Sequence, residues 1–264
     1  YSSSIRQLSM IEVKGLVKSF EDNDVLKGVD VVFKKGKTNL IIGRSGSGKT
    51  VFLKCLLGLH LADKGSILYD GRDSRLMDRK EQGKLRQELG MVFQGGALFD
   101  SMTVRENVLF PLQMFSDMSN SEVNDRVEFC LSRVKLGEAG ERYPAEISGG
   151  MKKRVSIARA IVLNPKYLFC DEPNSGLDPM TAVIIDNLLR EITEEFDITT
   201  VINTHDMNSV MEIGDHIVLL KDGQKVWEGN RFEILQTEDP NITDFVFTSE
   251  LFKTIKGVAK AGRQ

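Results

Sequence analysis

The stretch Gly43-Arg44-Ser45-Gly46-Ser47-Gly48-Lys49-Thr50 concentrates chemistry in this 264-residue chain. Its glycines let the backbone turn inward, so that successive N–H groups converge on one point. Lys49 supplies a cation that can reach the outer phosphates of a nucleotide, and the Thr50 hydroxyl is a ligand for Mg²⁺. Glycine, any four residues, then Gly-Lys-Thr is the pattern of a phosphate-binding P-loop. Alone it implies a nucleoside triphosphate and no particular reaction.

Two carboxylates and a histidine extend the chemistry. Asp171 and Glu172 follow the apolar run Tyr167 to Cys170. There Asp171 can hold Mg²⁺, usually through water, and Glu172 can take the proton of an attacking water. The plainer alternative is an acidic loop at a strand end. His205 ends another apolar run, Thr199 to Asn203, on the edge where the carboxylates are expected. Gln94 closes Met91 to Phe93 and precedes Gly95-Gly96-Ala97-Leu98-Phe99, either a hinge or a plain loop with a buried anchor. Phe20 stands just before a polar turn at Glu21 to Asp24; it either stacks on a base or is an ordinary sheet residue.

The elements that must position these residues are legible from apolar periodicity. Thr38 to Ile42 reads as a buried strand and Val51 to Leu57 as a buried helix, giving the strand–loop–helix order a P-loop needs. Ile11 to Val13 and Val29 to Phe33 read as antiparallel strands, and Gly65 to Gly71 as a strand ending in an Asp-Gly turn. Ser74 to Gln87 is an exposed, charged segment. Thr103 and Glu106 make a capping box for a helix that Pro111 interrupts. Val123, Val127, Leu131 and Val134 mark an amphipathic helix. Ser148 is an N-cap for a helix running through Leu163, with Lys152, Lys153 and Arg154 as a solvated face. Asp178-Pro179 starts another helix, with Ile185, Leu188, Leu189, Ile192 and Phe196 on one side. His216 to Leu220 and Gln224 to Glu228 form a hairpin around Asp222-Gly223. Near the end, Ile242, Phe245, Val246, Leu251, Phe252 and Ile255 form an apolar set at near-helical spacing, expected to pack on the chain's own core; the alternative is that it reaches a partner subunit.

The fold class expected is α/β: a P-loop NTPase (RecA-like) core with an N-terminal antiparallel β subdomain and an inserted α-helical subdomain. Residues 1–9 read as an expression scar, and 10–264 as one domain. Within it the core covers 10–94 and 160–235, the helical subdomain about 95–159, and a C-terminal helical extension about 236–264. The 35 Lys+Arg against 38 Asp+Glu disfavour a broad nucleic-acid surface, so no nucleic-acid partner is expected. Cys55, Cys130 and Cys170 all lie in apolar runs, as buried thiols of a reducing cytosol do. No stretch approaches the roughly 18 apolar residues of a membrane span.

Taken in order, these residues resemble the ATP-binding subunits of ABC transporters from Met10 onward. Phe20 falls where that family places an adenine-stacking aromatic, Gly43 to Thr50 on its Walker A loop, and Gln94 on its Q-loop glutamine. Ser148-Gly149-Gly150-Met151 falls on the signature motif, Tyr167 to Asp171 with Glu172 on Walker B, Asp178 in the D-loop, and His205 on the switch histidine. The resemblance implies ATP and Mg²⁺, with Thr50, Gln94 and Asp171 about the metal and Glu172, His205 and Gln94 in hydrolysis. It implies a homodimer in the ATP-bound state, closed head to tail, in which Ser148 and Gly150 contact the γ-phosphate held by the partner's Walker A. An integral membrane permease would be the further partner, and the cytoplasmic face of the inner membrane the location.

Met151 departs from the usual glutamine and removes an amide from that interface. Met151 and the run Gln94 to Val104, with Glu106-Asn107-Val108 and Phe110-Pro111-Leu112, look like ATPases of Mla-type, MCE-associated lipid transporters. Glu172 to Pro179 agrees except at Asn174. That branch implies MCE-domain and accessory transport proteins as partners. Importers of amino acids or other small solutes share every catalytic motif; what separates them is this run, Met151 and the lack of a long regulatory domain after the core. DNA-repair and translation ATPases of the family fit poorly, since long coiled-coil insertions and a second cassette are missing.

Overall fold

The computed structural model describes residues 10–21, 23–247 and 254. Strands β1 (Ile11–Phe20) and β2 (Asn23–Phe33) pair antiparallel with Ile11 opposite Phe33. Both are longer than the apolar alternation predicts. The register shifts between Val13 and Leu16, and Gly15 there has φ 56°, the mark of a bulge. The extra residue breaks the period of two, and Leu16 still returns to the core. Strand β3 (Thr38–Ile42) is wholly buried and leads through the glycine loop to helix α1 (Lys49–Leu56). Strand β4 (Lys64–Tyr69) then turns at Asp70-Gly71 into the short β5 (Arg72–Asp73). The first sheet has the order β2-β1-β4-β5 and is antiparallel throughout.

Helix α2 (Arg79–Glu88), capped by Asp78, occupies the charged segment and precedes β6 (Leu89–Val92). Three helices follow: α3 (Val104–Phe115), α4 (Asn120–Arg133) and α5 (Gly149–Ile161). They pack on one another through Val104, Val108, Leu112, Val127, Cys130, Leu131 and Val155, all buried. Pro111 does not interrupt α3, which runs on to Phe115. Proline inside a helix costs about 3 kcal/mol. Burying Val104, Val108 and Leu112 contributes about 1.5–3 kcal/mol each, which outweighs it. Buried Asn107 reinforces the turn, its amide reaching the carbonyls of Phe99, Met102 and Thr103 at 3.0–3.1 Å.

The chain continues through β7 (Tyr167–Asp171), α6 (Pro179–Glu195), β8 (Thr199–Asn203) and α7 (Met207–Ile213). The hairpin β9 (His216–Lys221) and β10 (Gln224–Gly229) and helices α8 (Glu233–Gln236) and α9 (Pro240–Val246) complete it. The second sheet has the order β10-β9-β3-β8-β7-β6, with only β10 antiparallel. Its parallel strands are largely apolar on both faces because each face meets a separate core. Leu40, Ile42, Leu168, Cys170, Ile217 and Leu219 face the helices α3–α6. Ile41, Tyr167, Phe169, Val218 and Leu220 face α1 and the first sheet. Five parallel strands therefore end on one edge, and that edge carries the functional residues.

All three cysteines are free and buried. Ile242 and Val246 are buried against the main core and Phe245 packs beside them. Leu251, Phe252 and Ile255, like residues 1–9, lie outside the described residues. Among the described residues no helix is long and apolar enough to cross a membrane.

Candidate nucleotide-binding and hydrolysis site

The glycine loop leaves β3 at its C-terminal end. A Cβ on Gly43 would lie 2.3 Å from the Leu220 carbonyl oxygen and 2.6 Å from Ser47 Oγ. Gly48, at φ 102°, would bring one to 3.1 Å from the Val25 oxygen. Only glycine lets the loop close so tightly between β2 and β9. Gly48 is also the N-cap of α1 and offers no side chain, and the helix has no acidic residue in its first turn. Its first N–H groups therefore open onto the cleft beside the loop without a side-chain acceptor. That is a cradle suited to a phosphate.

Lys49 is buried, and its Nζ donates to the carbonyls of Gly43 at 2.8 Å and Arg44 at 3.1 Å. Burial pulls its pKa below the usual lysine range, and the charges of Glu172 and Asp171 act the opposite way. The cleft holds about 650 Å³ and is lined by Ser45, Gly46, Gly48, Lys49, Thr50 and Val51, with Val25, Gln94, Glu172 and His205 as its walls. Gly43, Arg44 and Ser47 do not line it; the Arg44 guanidinium turns away and donates to the Asp244 carbonyl of α9 at 3.4 Å.

The strand ends deliver the rest. Asp171 accepts from Asn203 Nδ2 at 3.2 Å across the β7–β8 pair. Glu172 has φ 45°, a left-handed backbone that costs a non-glycine residue about 1–2 kcal/mol. Its N–H donates to the Asn203 carbonyl at 3.0 Å, which fixes the turn into the cleft. The Glu172 carboxylate meets His205 Nδ1 at 2.9 Å. An ionised carboxylate only accepts, so Nδ1 carries the proton of that bond. Nε2 of a neutral ring then accepts, and it donates to a phosphate oxygen only once the ring is charged or the Glu172 contact is released. His205→Ala is expected to lower the hydrolysis rate by about 10²-fold, read as steady-state phosphate release.

Gln94 donates from Nε2 to Ser175 Oγ at 3.2 Å, which anchors its amide beside the Glu172 loop. Its backbone carbonyl accepts from Lys153 Nζ. Lys153 is buried, contrary to the expectation that Lys152 to Arg154 form a solvated face. Arg154 likewise reaches the Val134 carbonyl at 3.2 Å. Arg159, one and a half turns on, holds the carbonyls of Gly96 and Ala97, each at 2.8 Å. Helix α5 thus grips the Gln94–Ala97 loop through two cations, the buried Lys153 and the half-buried Arg159. The sequence signal existed: Lys153 shares a helical face with Ile157 and Ile161.

Ser148 caps α5, its Oγ accepting from Met151 N–H at 3.3 Å. A Cβ on Gly150 would lie 2.6 Å from Thr181 Cγ2, so α5 and α6 approach closely there. Met151 packs against the main core. None of Ser148, Gly149, Gly150 and Met151 is among the residues lining the cleft of their own chain. Asp178 caps α6 through Thr181 N–H at 3.0 Å and the Thr181 hydroxyl at 2.6 Å. Those bonds hold its carboxyl below the ordinary range. Phe20, 40% exposed, meets the His60 ring edge-on at 5.1 Å and does not line the cleft; Val25 does, and no sequence signal singles out a valine.

Thr50 hydroxyl, Asp171 carboxylate and Gln94 amide oxygen are hard oxygen donors, the chemistry Mg²⁺ prefers. Among the described residues no group of three or more His, Cys, Asp or Glu is placed to hold a metal ion by itself. Such a sparse set fits Mg²⁺, which keeps several waters and binds through substrate phosphates. When bound, the ion neutralises phosphate charge.

The fold and cleft define a P-loop nucleoside triphosphatase. The ABC transporter family matches residues 26–175. The probable ribonucleotide transport ATP-binding protein mkl of Mycobacterium leprae is 40% identical over 236 residues, 89% of this chain and 68% of that protein. The methionine import ATP-binding protein MetN of Clostridium tetani is 41% identical over 217 residues, 82% of this chain and 68% of that protein. The intermembrane phospholipid transport system ATP-binding protein MlaF of Haemophilus influenzae is 34% identical over 238 residues, 90% of each chain. Among solved structures, the dimeric ATP-binding cassette MJ0796 bound to ADP and Pi superposes with a TM-score of 0.76 at 33% identity, covering 84% of this chain and 98% of that one. The chain belongs to the ABC transporter family and is an ATP hydrolase of that family, using ATP with Mg²⁺.

Proposed function

We propose that two copies of the chain close head to tail on ATP, and that the closed dimer drives a membrane permease for lipids. The observation that carries the dimer is the placement of Ser148 to Met151 outside their own cleft. The start of α5 offers amides and a helix dipole to an anion. On a partner's γ-phosphate it makes the nucleotide part of the interface. The dimeric state of MJ0796 supports this reading. In the closed site Lys49 and the loop amides bind the phosphates, with Thr50 and Asp171 on the metal side. Glu172 accepts the proton of the attacking water. His205 and Gln94 hold the γ-phosphate and that water in line. Hydrolysis removes the shared anion, and the population shifts to the open dimer.

The permease would dock beside Gln94. Phe93 and Phe99 flank it and are exposed, Phe99 is braced by Phe110 of α3 at 4.8 Å and by Arg159, and Met114 and Phe115 are exposed farther along the same helix. Exposed apolar side chains gathered next to a hinge loop suit an interaction site. Leu98→Asp or Phe99→Asp is expected to abolish co-purification with the permease; retention of the complex would refute the docking site.

Lipid cargo is supported by the resemblance of Gln94 to Val104 and Met151 to Mla-type ATPases and by MlaF, which matches along 90% of both chains. On this reading the chain works at the cytoplasmic face of an inner membrane, with MCE-domain and accessory proteins as partners. The likeness to MetN favours a second reading, an amino-acid importer. Purifying the complex with its permease and identifying bound molecules by mass spectrometry separates the two: phospholipid is expected, and an amino acid in its place would overturn the lipid reading.

A further inference from the structure

Asp186 lies on α6 with its side chain buried, and the hydrolysis site described above has no use for a carboxylate at that position. Asn174 Nδ2 donates to Asp186 Oδ1 at 2.7 Å and to Ser209 Oγ at 3.0 Å. One amide thereby ties α6 to α7. Ser209 Oγ donates in turn to Asp206 Oδ2 at 3.3 Å, and Asp206 caps α7 through Asn208 N–H at 2.9 Å.

This chain of bonds runs directly behind the site. Asn174 stands two residues after Glu172 and next to Ser175, the acceptor for Gln94. Its carbonyl accepts from Leu177 N–H at 3.2 Å, holding the loop in shape up to the α6 cap. At the other end Asp206 adjoins His205. The bridge therefore spans the two loops whose side chains meet in the Glu172–His205 contact.

A carboxylate is a costly way to fill this space. Burial pushes Asp186 up to about 6, Asp206 and Glu212 push in the same direction, and Asn174 and Ser209 pull it down. Cys170 of β7 lies within its field as well. An apolar residue of similar volume would pack there without that cost. A carboxylate, by contrast, is the strongest acceptor for the Asn174 amide.

We propose that Asp186, acting through Asn174 and Ser209, is a positioning residue for ATP hydrolysis, fixing the loop that carries Glu172 and Ser175 against the helix that follows His205. The proposal rests on Glu172 as the group that activates water. Misplacing such a group by about 1 Å costs up to about 10²-fold in rate.

The test is steady-state hydrolysis by the purified chain, with KM for ATP and kcat determined separately and melting temperature measured alongside. Asp186→Ala is expected to lower kcat at least about 10-fold and leave KM within about twofold. Asp186→Asn keeps an oxygen to accept from Asn174 and is expected to recover most of the rate. Ser209→Ala, which removes one oxygen and little volume, is expected to lower kcat about threefold and covers the case in which Asp186→Ala does not fold. A native kcat in Asp186→Ala or, where that variant does not fold, in Ser209→Ala would overturn the proposal. So would an Asp186→Asn variant as slow as Asp186→Ala. Glu172→Gln run in parallel separates the two levels: if it retains the native rate, the assignment of the base has failed, and if it is slow while Asp186→Ala is fast, only the positioning role has failed.

Discussion

Glu172→Gln slows ATP hydrolysis by about 10²- to 10⁴-fold while ATP still binds. The substitution keeps the size and planarity of the side chain. Its amide oxygen can still accept from His205 Nδ1, so the 2.9 Å contact survives. What disappears is the ability to take a proton from water. The turn at Glu172 is set by the backbone bond to Asn203, which the side chain does not make, so the loop is not expected to move. The loss falls on kcat, with KM for ATP little changed, as for an interaction made only in the transition state. A variant with native kcat would remove Glu172 from the mechanism. Because the ATP-bound state is then not consumed, the same variant should accumulate it.

The second large effect is expected at Lys49. Lys49→Ala weakens ATP binding by about 10²-fold, corresponding to about 2.7 kcal/mol. The ammonium holds two carbonyls of its own loop, Gly43 and Arg44, and it is the only side-chain cation lining the cleft among the described residues, apart from His205 when protonated. Burial already disfavours its charge, so removing it should lower the stability of the nucleotide-free chain little. Binding linkage gives the readout. ATP at 100 times its Kd stabilises the native chain by about 2.7 kcal/mol, and at the same concentration the variant should lose most of that increment. An unchanged thermal shift with ATP would show that Lys49 does not face the phosphates.

The parts legible in the sequence were those whose signal is local. Ser148, Asp178 and Thr103 cap the helices their spacing predicts, because an N-cap depends on its own next three residues. The buried strands β3, β7 and β8 also follow from their apolar runs, and with them the edge that gathers Glu172 and His205. Features decided by tertiary contact were not legible. Gly15 hides half of β1 behind a bulge, and Pro111 sits in a helix that packing sustains. Lys153 reads as a surface charge until the carbonyl of Gln94, far away in sequence, is placed over it. The Glu172–His205 bond and the Asn174–Asp186 bridge join different elements in the same way, and no spacing rule anticipates them.

The central claim is that the glycine loop at Gly43 to Thr50 is half of a site whose other half is Ser148 to Met151 of a second copy. Sedimentation of the Glu172→Gln chain tests it most directly. With ATP and Mg²⁺ it should sediment at twice the chain mass, and with ADP and Mg²⁺ at the mass of one chain. Adding Ser148→Arg should abolish the ATP-dependent dimer while each chain still binds ATP. A chain that stays monomeric with ATP, or a dimer that forms equally well with Ser148→Arg, would contradict the account.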